Sequence, residues 1–570
     1  MPYGNWVLRS EGRVLYWRHP LEPRLSCDDS AAVSGGEEYG LMRPLHSSLT
    51  GAALVGLIID VVVCSAQPPE AGAPDAFPTL QGRYFGEALP GARPQIFLPG
   101  VISTTDFDGC VACLLDGRLC VFSSATRGTL FSYEQDGRWT SPQPAPWQNQ
   151  EGVTDFTAGQ NGRTIFFQTS RPTSVDDGRR ESNTWVVEWT GDAWAEPRPL
   201  PSPPNSEEFY EAYPSVSADG TLYFFSSSRD AARVGEIFRS ALSDGAYGPA
   251  EQLPDPVNSF YHEVDPVIAP DGSYLLFGSG RPGGFTVLDL YVCFRRDDGR
   301  WTSPINGGQM FNSFGQPIRM NITPDGKYLF FPSAHETDRP KGEPIVSHIA
   351  RRWGDWDVYW VSTGFVDELE SQVMTRRSAA EVIIREYRMQ GLQAAVARME
   401  TLLAEPSDTH YLELSELLIF CGELIGAGRL EETDELVEAL VGSTGEVLRI
   451  RQGYAIACIL NGQTAKGLQL LRSLWTLFPT APSRSDTELY FLTYQLGRRG
   501  HEEDELTVLR FITEEFPGSD GAWLDLARAY ERRGEIESSR AACAEALEVN
   551  PDNTDAAALL EQLARRKPAG

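Results

Sequence analysis

A turn dipeptide recurs five times in the first part of the chain, at Asp116-Gly117, Asn161-Gly162, Asp219-Gly220, Asp271-Gly272 and Asp325-Gly326, with spacings of 45, 58, 52 and 54 residues. Each is followed by an aromatic or aliphatic run: LCVFSS, TIFFQTS, LYFFSSS, YLLFGSG and YLFFPSA. Asp-Gly and Asn-Gly accept the positive φ angles of a tight hairpin turn, so each marks two antiparallel strands. A second series, Asp136-Gly137, Gly191-Asp192, Asp244-Gly245 and Asp298-Gly299, adds another hairpin to the unit, which makes four strands. A four-stranded unit cannot bury both faces alone, and five of them most simply stack radially as propeller blades. The fifth unit ends in DWDVYWVS without a further strand. The segment RPQIFLPGVIS, ahead of the first unit, can supply it and leave no open edge. Ile96 and Leu98 should then share one face and Phe97 the other. Five blades is the count, with a degenerate sixth as the alternative.

Beyond residue 370 the pattern changes to Ala, Leu, Glu and Arg, and the glycines 391, 428, 462, 500 and 534 are spaced 37, 34, 38 and 34. Pro479, Pro517 and Pro551 each follow one of them by 17 residues. A helix, a turn glycine, a second helix and a terminating proline in about 34 residues resembles a tetratricopeptide (TPR) repeat. The last unit matches most closely, through Trp523, Leu526, Ala527, Tyr530, Gly534, Ser539, Cys543, Ala546 and Pro551.

In the strand repeats, SVSADGTLYFFSSSRD, DPVIAPDGSYLLFGSGRPGGFTVLDLYVCFRRDDGRWTSPIN and NITPDGKYLFFPS resemble the WD40-like (PD40) repeat of TolB-type propellers. The resemblance implies a non-catalytic, extracytoplasmic propeller joined to other modules. The expected fold is multidomain: an all-β propeller over 84–364, a linker over 365–376, and an all-α TPR solenoid over 377–567.

Ahead of the repeats, LTGAALVGLIIDVVVCSA (49–66) follows Met42-Arg43-Pro44 and precedes a Pro/Ala-rich linker over 67–83. A start at Met42 would give a basic n-region, an apolar h-region and a small-residue exit, the plan of an export signal over 42–66. Residues 1–41 would then be an extension outside the native protein. A membrane anchor and a buried segment are alternatives, and Asp60 within the run disfavours a stable span. The expected location is periplasmic or cell-envelope; a lipoprotein through Cys64 is the weaker version, because Val63 stands where a small residue is wanted.

Asp and Glu number 79 against 49 Lys and Arg, a formal charge of −30, which repels phosphate backbones and excludes nucleic acid as an expected partner. The nine cysteines are odd in number and scattered, and only Cys110, Cys113 and Cys120 cluster. They read as small core residues, with a disulfide and a metal site as alternatives. No cofactor or metal is expected.

The seven histidines form no H-E-x-x-H, and no G-x-S-x-G, phosphate loop or Rossmann glycine set is present, so no enzyme is expected. Candidate binding residues come from counting back from the turn dipeptides. Eight residues upstream lie Asp108, Val153, Glu211, Glu263 and Pro317; six upstream lie Cys110, Asp155, Tyr213, Asp265 and Arg319. Asp108, Asp155, Glu211, Tyr213, Glu263 and Asp265, with His262 and Arg319, are expected around the propeller mouth. Arg171, Arg229 and Arg281 end the equivalent second strands and would neutralise them. Asn205, Asn258 and Asn312 read as turn formers between blades. The leading function is an exported scaffold with protein partners at the TPR groove and propeller face. The alternative is a carbohydrate-binding or carbohydrate-active propeller that uses the axial carboxylates on a glycan or small ligand.

Overall fold

The computed structural model describes residues 77–565, with the dipeptides 9–10 and 13–14, less 105–107, 125–126, 148–154, 172–181, 207–208, 228–234, 287, 313–318, 335–355, 406–408, 480–483 and 485. The proposed signal, the extension apart from those two dipeptides, and Arg229, Val153 and Pro317 lie outside the described residues. No described helix is long and apolar enough to cross a membrane.

Five four-stranded blades form the propeller. Blade 1 begins with Asp108–Leu114, Leu119–Ser124 and Gly128–Gln135, and its outer strand is Gln143–Pro144. Blade 2 orders Phe156–Ala158, Thr164–Thr169, Asn183–Glu188 and Arg198–Pro199; blade 3 orders Glu211–Val216, Leu222–Ser227, Gly235–Ser240 and Glu251–Gln252. Blade 4 orders Glu263–Ile268, Tyr274–Ser279, Asp289–Phe294 and Ile305–Asn306. In blade 5, Asn321–Ile322, Tyr328–Ala334 and Trp356–Ser362 are completed by Gln95–Ile96, with Ile96 opposite Tyr359 and Gln95 opposite Trp360. The ring thus closes by an exchange of chain ends. The alternation does not reach Leu98, which has φ 48° and whose carbonyl accepts from the amides of Val101, Ile102 and Ser103. Pro99, which lacks an N–H, and Gly100 turn the chain there, and Phe97 is the last residue paired, donating to the Val358 carbonyl at 2.7 Å.

Two further features differ from the sequence reading. Cys113 and Cys120 are directly opposed across the first hairpin of blade 1 and form a disulfide, while Cys110 stays free and buried. The inter-blade asparagines clamp strand edges rather than form turns. The Oδ1 of Asn205, Asn258 and Asn312 accepts from the amides of Thr184, Ile237 and Leu290, at 2.8 Å in each case. The Nδ2 groups of Asn205 and Asn258 return bonds to the Thr184 and Ile237 carbonyls. These third-strand edges lie beyond the short fourth strand, and buried amides there need a partner.

Helix α1 (Phe365–Thr375) packs Val366 and Val373 on the apolar core of blades 4 and 5. Five helical hairpins follow: α2 (Ala379–Gln390) with α3 (Leu392–Ala404), α4 (Leu414–Gly426) with α5 (Leu430–Thr444), α6 (Val447–Leu460) with α7 (Thr464–Leu477), α8 (Asp486–Arg498) with α9 (Glu502–Glu515), and α10 (Asp520–Arg532) with α11 (Ile536–Val549). Helix α12 (Thr554–Arg565) covers the last pair through Leu559 and Leu563. Gly391, Gly428, Gly462, Gly500 and Gly534 have φ between 73° and 87°, the left-handed region that ends a helix in a tight turn.

Candidate functional site: the propeller axis and the helical groove

The first strands of blades 1, 3 and 4 carry a bulge, with register shifts between Asp108 and Val111, Ala212 and Ser215, and Val264 and Val267. Tyr213 and Asp265, within the bulges, and Arg319, just ahead of the first strand of blade 5, have φ of 54°, 51° and 54°. A non-glycine residue in this region costs about 1–2 kcal/mol, and here it re-aims the side chain. The column six residues before each turn therefore meets at the axis: Cys110, Asp155, Tyr213, Asp265 and Arg319 line one cavity with the apolar residues that follow them.

The charged groups that line the cavity are bonded to one another. Arg319 Nε lies 2.9 Å from Asp155 Oδ1, and the Arg319 amide donates to Asp265 Oδ1 at 3.1 Å. Asn321 Nδ2 donates to the Phe156 carbonyl and to Cys110 Sγ, each at 2.9 Å. Burial, and then the negative charge of Asp155, push the Asp265 carboxyl well above the usual range, toward its neutral form. Burial alone would lower the Arg319 guanidinium, but its acidic neighbours, Asp155 first among them, outweigh it and raise its pKa. The space left is about 10 Å³, at most one water.

The column eight residues before each turn does not reach the axis. Asp108 accepts from the Thr104 amide and hydroxyl and pairs with Arg127 at 3.1 Å. Glu211 accepts from the Ser206 amide and the Ser226 hydroxyl. Glu263 accepts from the Ser259 amide and hydroxyl, from Ser279 Oγ at 2.8 Å and from Arg281 at 3.2 Å. Each of these carboxylates fastens the loop entering a blade to the end of its second strand. The arginines complete the fastening: Arg171 donates to the Trp147 carbonyl at 2.8 Å and lies 5.2 Å over the Trp185 ring, while Arg281 donates to the Val257 carbonyl at 2.9 Å. Spacing from the turn located both columns; the bulge between them sends one to the axis and the other to the blade's own loop.

His262 is fully buried between Phe225, at 5.5 Å, and Phe491 of α8, at 5.2 Å. Neither ring nitrogen has a hydrogen-bond partner among the described residues, and desolvation lowers its pKa to about 3. Its contact with Phe491 belongs to a larger one that the sequence did not reveal. Helices α4, α6 and α8, the first helices of their hairpins, face propeller loops 257–263 and 280–286. Glu413, which caps α4, accepts from the Asn306 amide at 2.9 Å. Arg449 of α6 donates from Nε and Nη2 to the Gly283 carbonyl, at 3.0 and 2.6 Å. Arg499, just past α8, donates to the Phe260 carbonyl and lies 3.6 Å over the Phe260 ring. The available signal was the helical glycines Gly422 and Gly453, which stand where a packed array has side chains to spare only if something approaches closely.

Residues 506–563 match the tetratricopeptide repeat family. No curated protein matches the chain. Among solved structures, a MamA RS-1 double mutant is 16% identical, with 28% of this chain and 86% of that one covered at a TM-score of 0.17. YrrB, described as a TPR protein with an unusual peptide-binding site, is 14% identical over 32% of this chain and 90% of its own, at a TM-score of 0.17. An α-L-arabinofuranosidase from Lactobacillus brevis is 11% identical over 45% of this chain and 90% of its own, at a TM-score of 0.31. Likenesses this weak say nothing about activity.

Proposed function

We propose that the chain is an exported, non-catalytic binding scaffold, a WD40-like propeller of the TolB type carrying a tetratricopeptide array that mediates protein–protein interaction. The observation that carries the reading is the charge-balanced axis. A glycosidase needs two carboxylates of distinct protonation standing free beside a sugar-sized space. Here Asp155 is committed to Arg319, Asp265 accepts the Arg319 amide, and the cavity is water-sized. The tetratricopeptide match over 506–563 supports protein partners for the helical part. The Cys113–Cys120 disulfide supports export, because such bonds persist in oxidising compartments.

The test pairs capture with turnover. Purified full chain, with and without Asp265→Asn, is offered a panel of glycans and, separately, an envelope extract for cross-linking and capture. The reading expects protein partners retained by both forms and no glycan turned over by either. Glycan turnover that Asp265→Asn abolishes would establish the carbohydrate-active alternative.

A further inference from the structure

In a helical-hairpin array the first helices line the concave groove, and α4, α6 and α8 supply it here. The propeller loop Arg281-Pro282-Gly283-Gly284-Phe285 lies in that groove, with its first four residues buried. The contact is made by a turn at Pro282 and Gly283, followed by bends at 284–286. Gly283 has φ +91°, and a Cβ there would come within 3.0 Å of Leu418 and 3.1 Å of the Ser415 amide nitrogen. From the other side, a Cβ on Gly453 would stand 2.8 Å from the Gly283 nitrogen and 3.3 Å from Pro282. Two glycines thus meet backbone to backbone, and neither tolerates a side chain. Arg449 holds the Gly283 carbonyl in a fork with its guanidinium, which lies 4.3 Å over the Phe285 ring, while Asp289 of the propeller accepts from the Phe285 and Thr286 amides at 2.6 and 2.8 Å. A carbonyl, a side chain-free approach and an aromatic two residues later are features that a short linear segment of another protein can also present.

We infer that the groove of α4, α6 and α8 is a recognition surface for a turn-forming Pro-Gly-Gly-aromatic segment, and that the propeller's loop 281–285 occupies it as a self-ligand that a partner segment of the same chemistry must displace. The inference rests on the scaffold reading above and adds the partner's chemistry and the means of regulation. Its consequence is that a partner meets a closed groove, so its apparent affinity is reduced by the fraction of chains in which the loop is docked.

The experiment uses the full chain and a fluorescein-labelled heptapeptide, Gly-Arg-Pro-Gly-Gly-Phe-Thr, followed by fluorescence anisotropy. Gly283→Val should eject the loop, and Phe285→Ala is the milder release should the first variant fold poorly. Binding of the peptide at least tenfold tighter by either released variant than by the unaltered chain is the expected result. Adding Arg449→Ala or Gly453→Val to the released variant should return binding to background. Equal binding by unaltered and released chains, binding indifferent to Arg449→Ala, or no binding by any folded variant would overturn the inference. A protein partner captured equally well by the unaltered chain and by Arg449→Ala would also overturn it while leaving the scaffold reading intact, so the two fail separately.

Discussion

His262 concentrates the account at the scale of single residues. Its imidazole is neutral, packed on Phe225 and Phe491, and faces no charged group within hydrogen-bonding reach among the described residues. Because its folded pKa is depressed to about 3 from 6.5, the folded form binds fewer protons than the unfolded one between those values. Stability from this residue is therefore complete above pH 6.5 and is lost as pH falls toward 3, with a limiting slope of about 1.4 kcal/mol per pH unit. Denaturant melts from pH 7 to 4 should show His262→Phe losing less stability on acidification than the unaltered chain; parallel profiles would refute the assignment. A second residue prediction concerns the axis. Arg319→Ala removes the buried counter-ion of Asp155 and should destabilise the propeller by about 3–5 kcal/mol, and Asp155→Asn in the same chain should recover part of that loss. Urea melts of the three variants decide it. The sequence brought these residues into view because each stands at a fixed distance from a turn. It did not show that Arg319 would be the counter-ion of Asp155, since that pairing joins blades 2 and 5 across the axis.

At the scale of elements, repeat spacing was enough to number the blades and identify the strand that closes the ring. Ring closure rests on few bonds: Gln95 and Ile96 pair with Trp360 and Tyr359, and Phe97 packs 4.9 Å from Phe330 and 5.0 Å from Trp360. Deleting residues 94–103 should expose the edge of Trp356–Ser362 and abolish the propeller's cooperative melt, read by near-ultraviolet circular dichroism. An unchanged melt would mean that the strand is dispensable. The disulfide was legible in principle, because Cys113 and Cys120 are placed symmetrically about the Asp116-Gly117 turn and so oppose each other across it. Where the closing strand stops was less so. Alternation continues in the sequence through Leu98, but Pro99 and Gly100 end the pairing one residue earlier.

At the scale of the whole molecule, the two repeat architectures were readable separately and their docking was not. Periodicity reports which faces a repeat buries within itself, whereas the contact of loop 280–286 with α4 and α6 depends on non-periodic residues: Gly283, Gly453, Leu418 and Arg449. The sequence places a linker over 365–376 between the two architectures, where the chain can be cut into two pieces. The structure adds that a cut there would uncover Tyr261 and Leu489, which share one buried cluster, so the two pieces should associate when mixed; size-exclusion chromatography of the mixture reads this directly.

The central claim, that the helical groove is filled by the propeller's own loop, is tested most directly by hydrogen exchange on the intact chain. Peptides covering residues 280–286 and α6 should both exchange slowly, and both should lose protection together in Arg449→Ala while the blade strands keep theirs. Rapid exchange of residues 280–286 in the unaltered chain, at the rate of a solvent-exposed loop, would contradict the account.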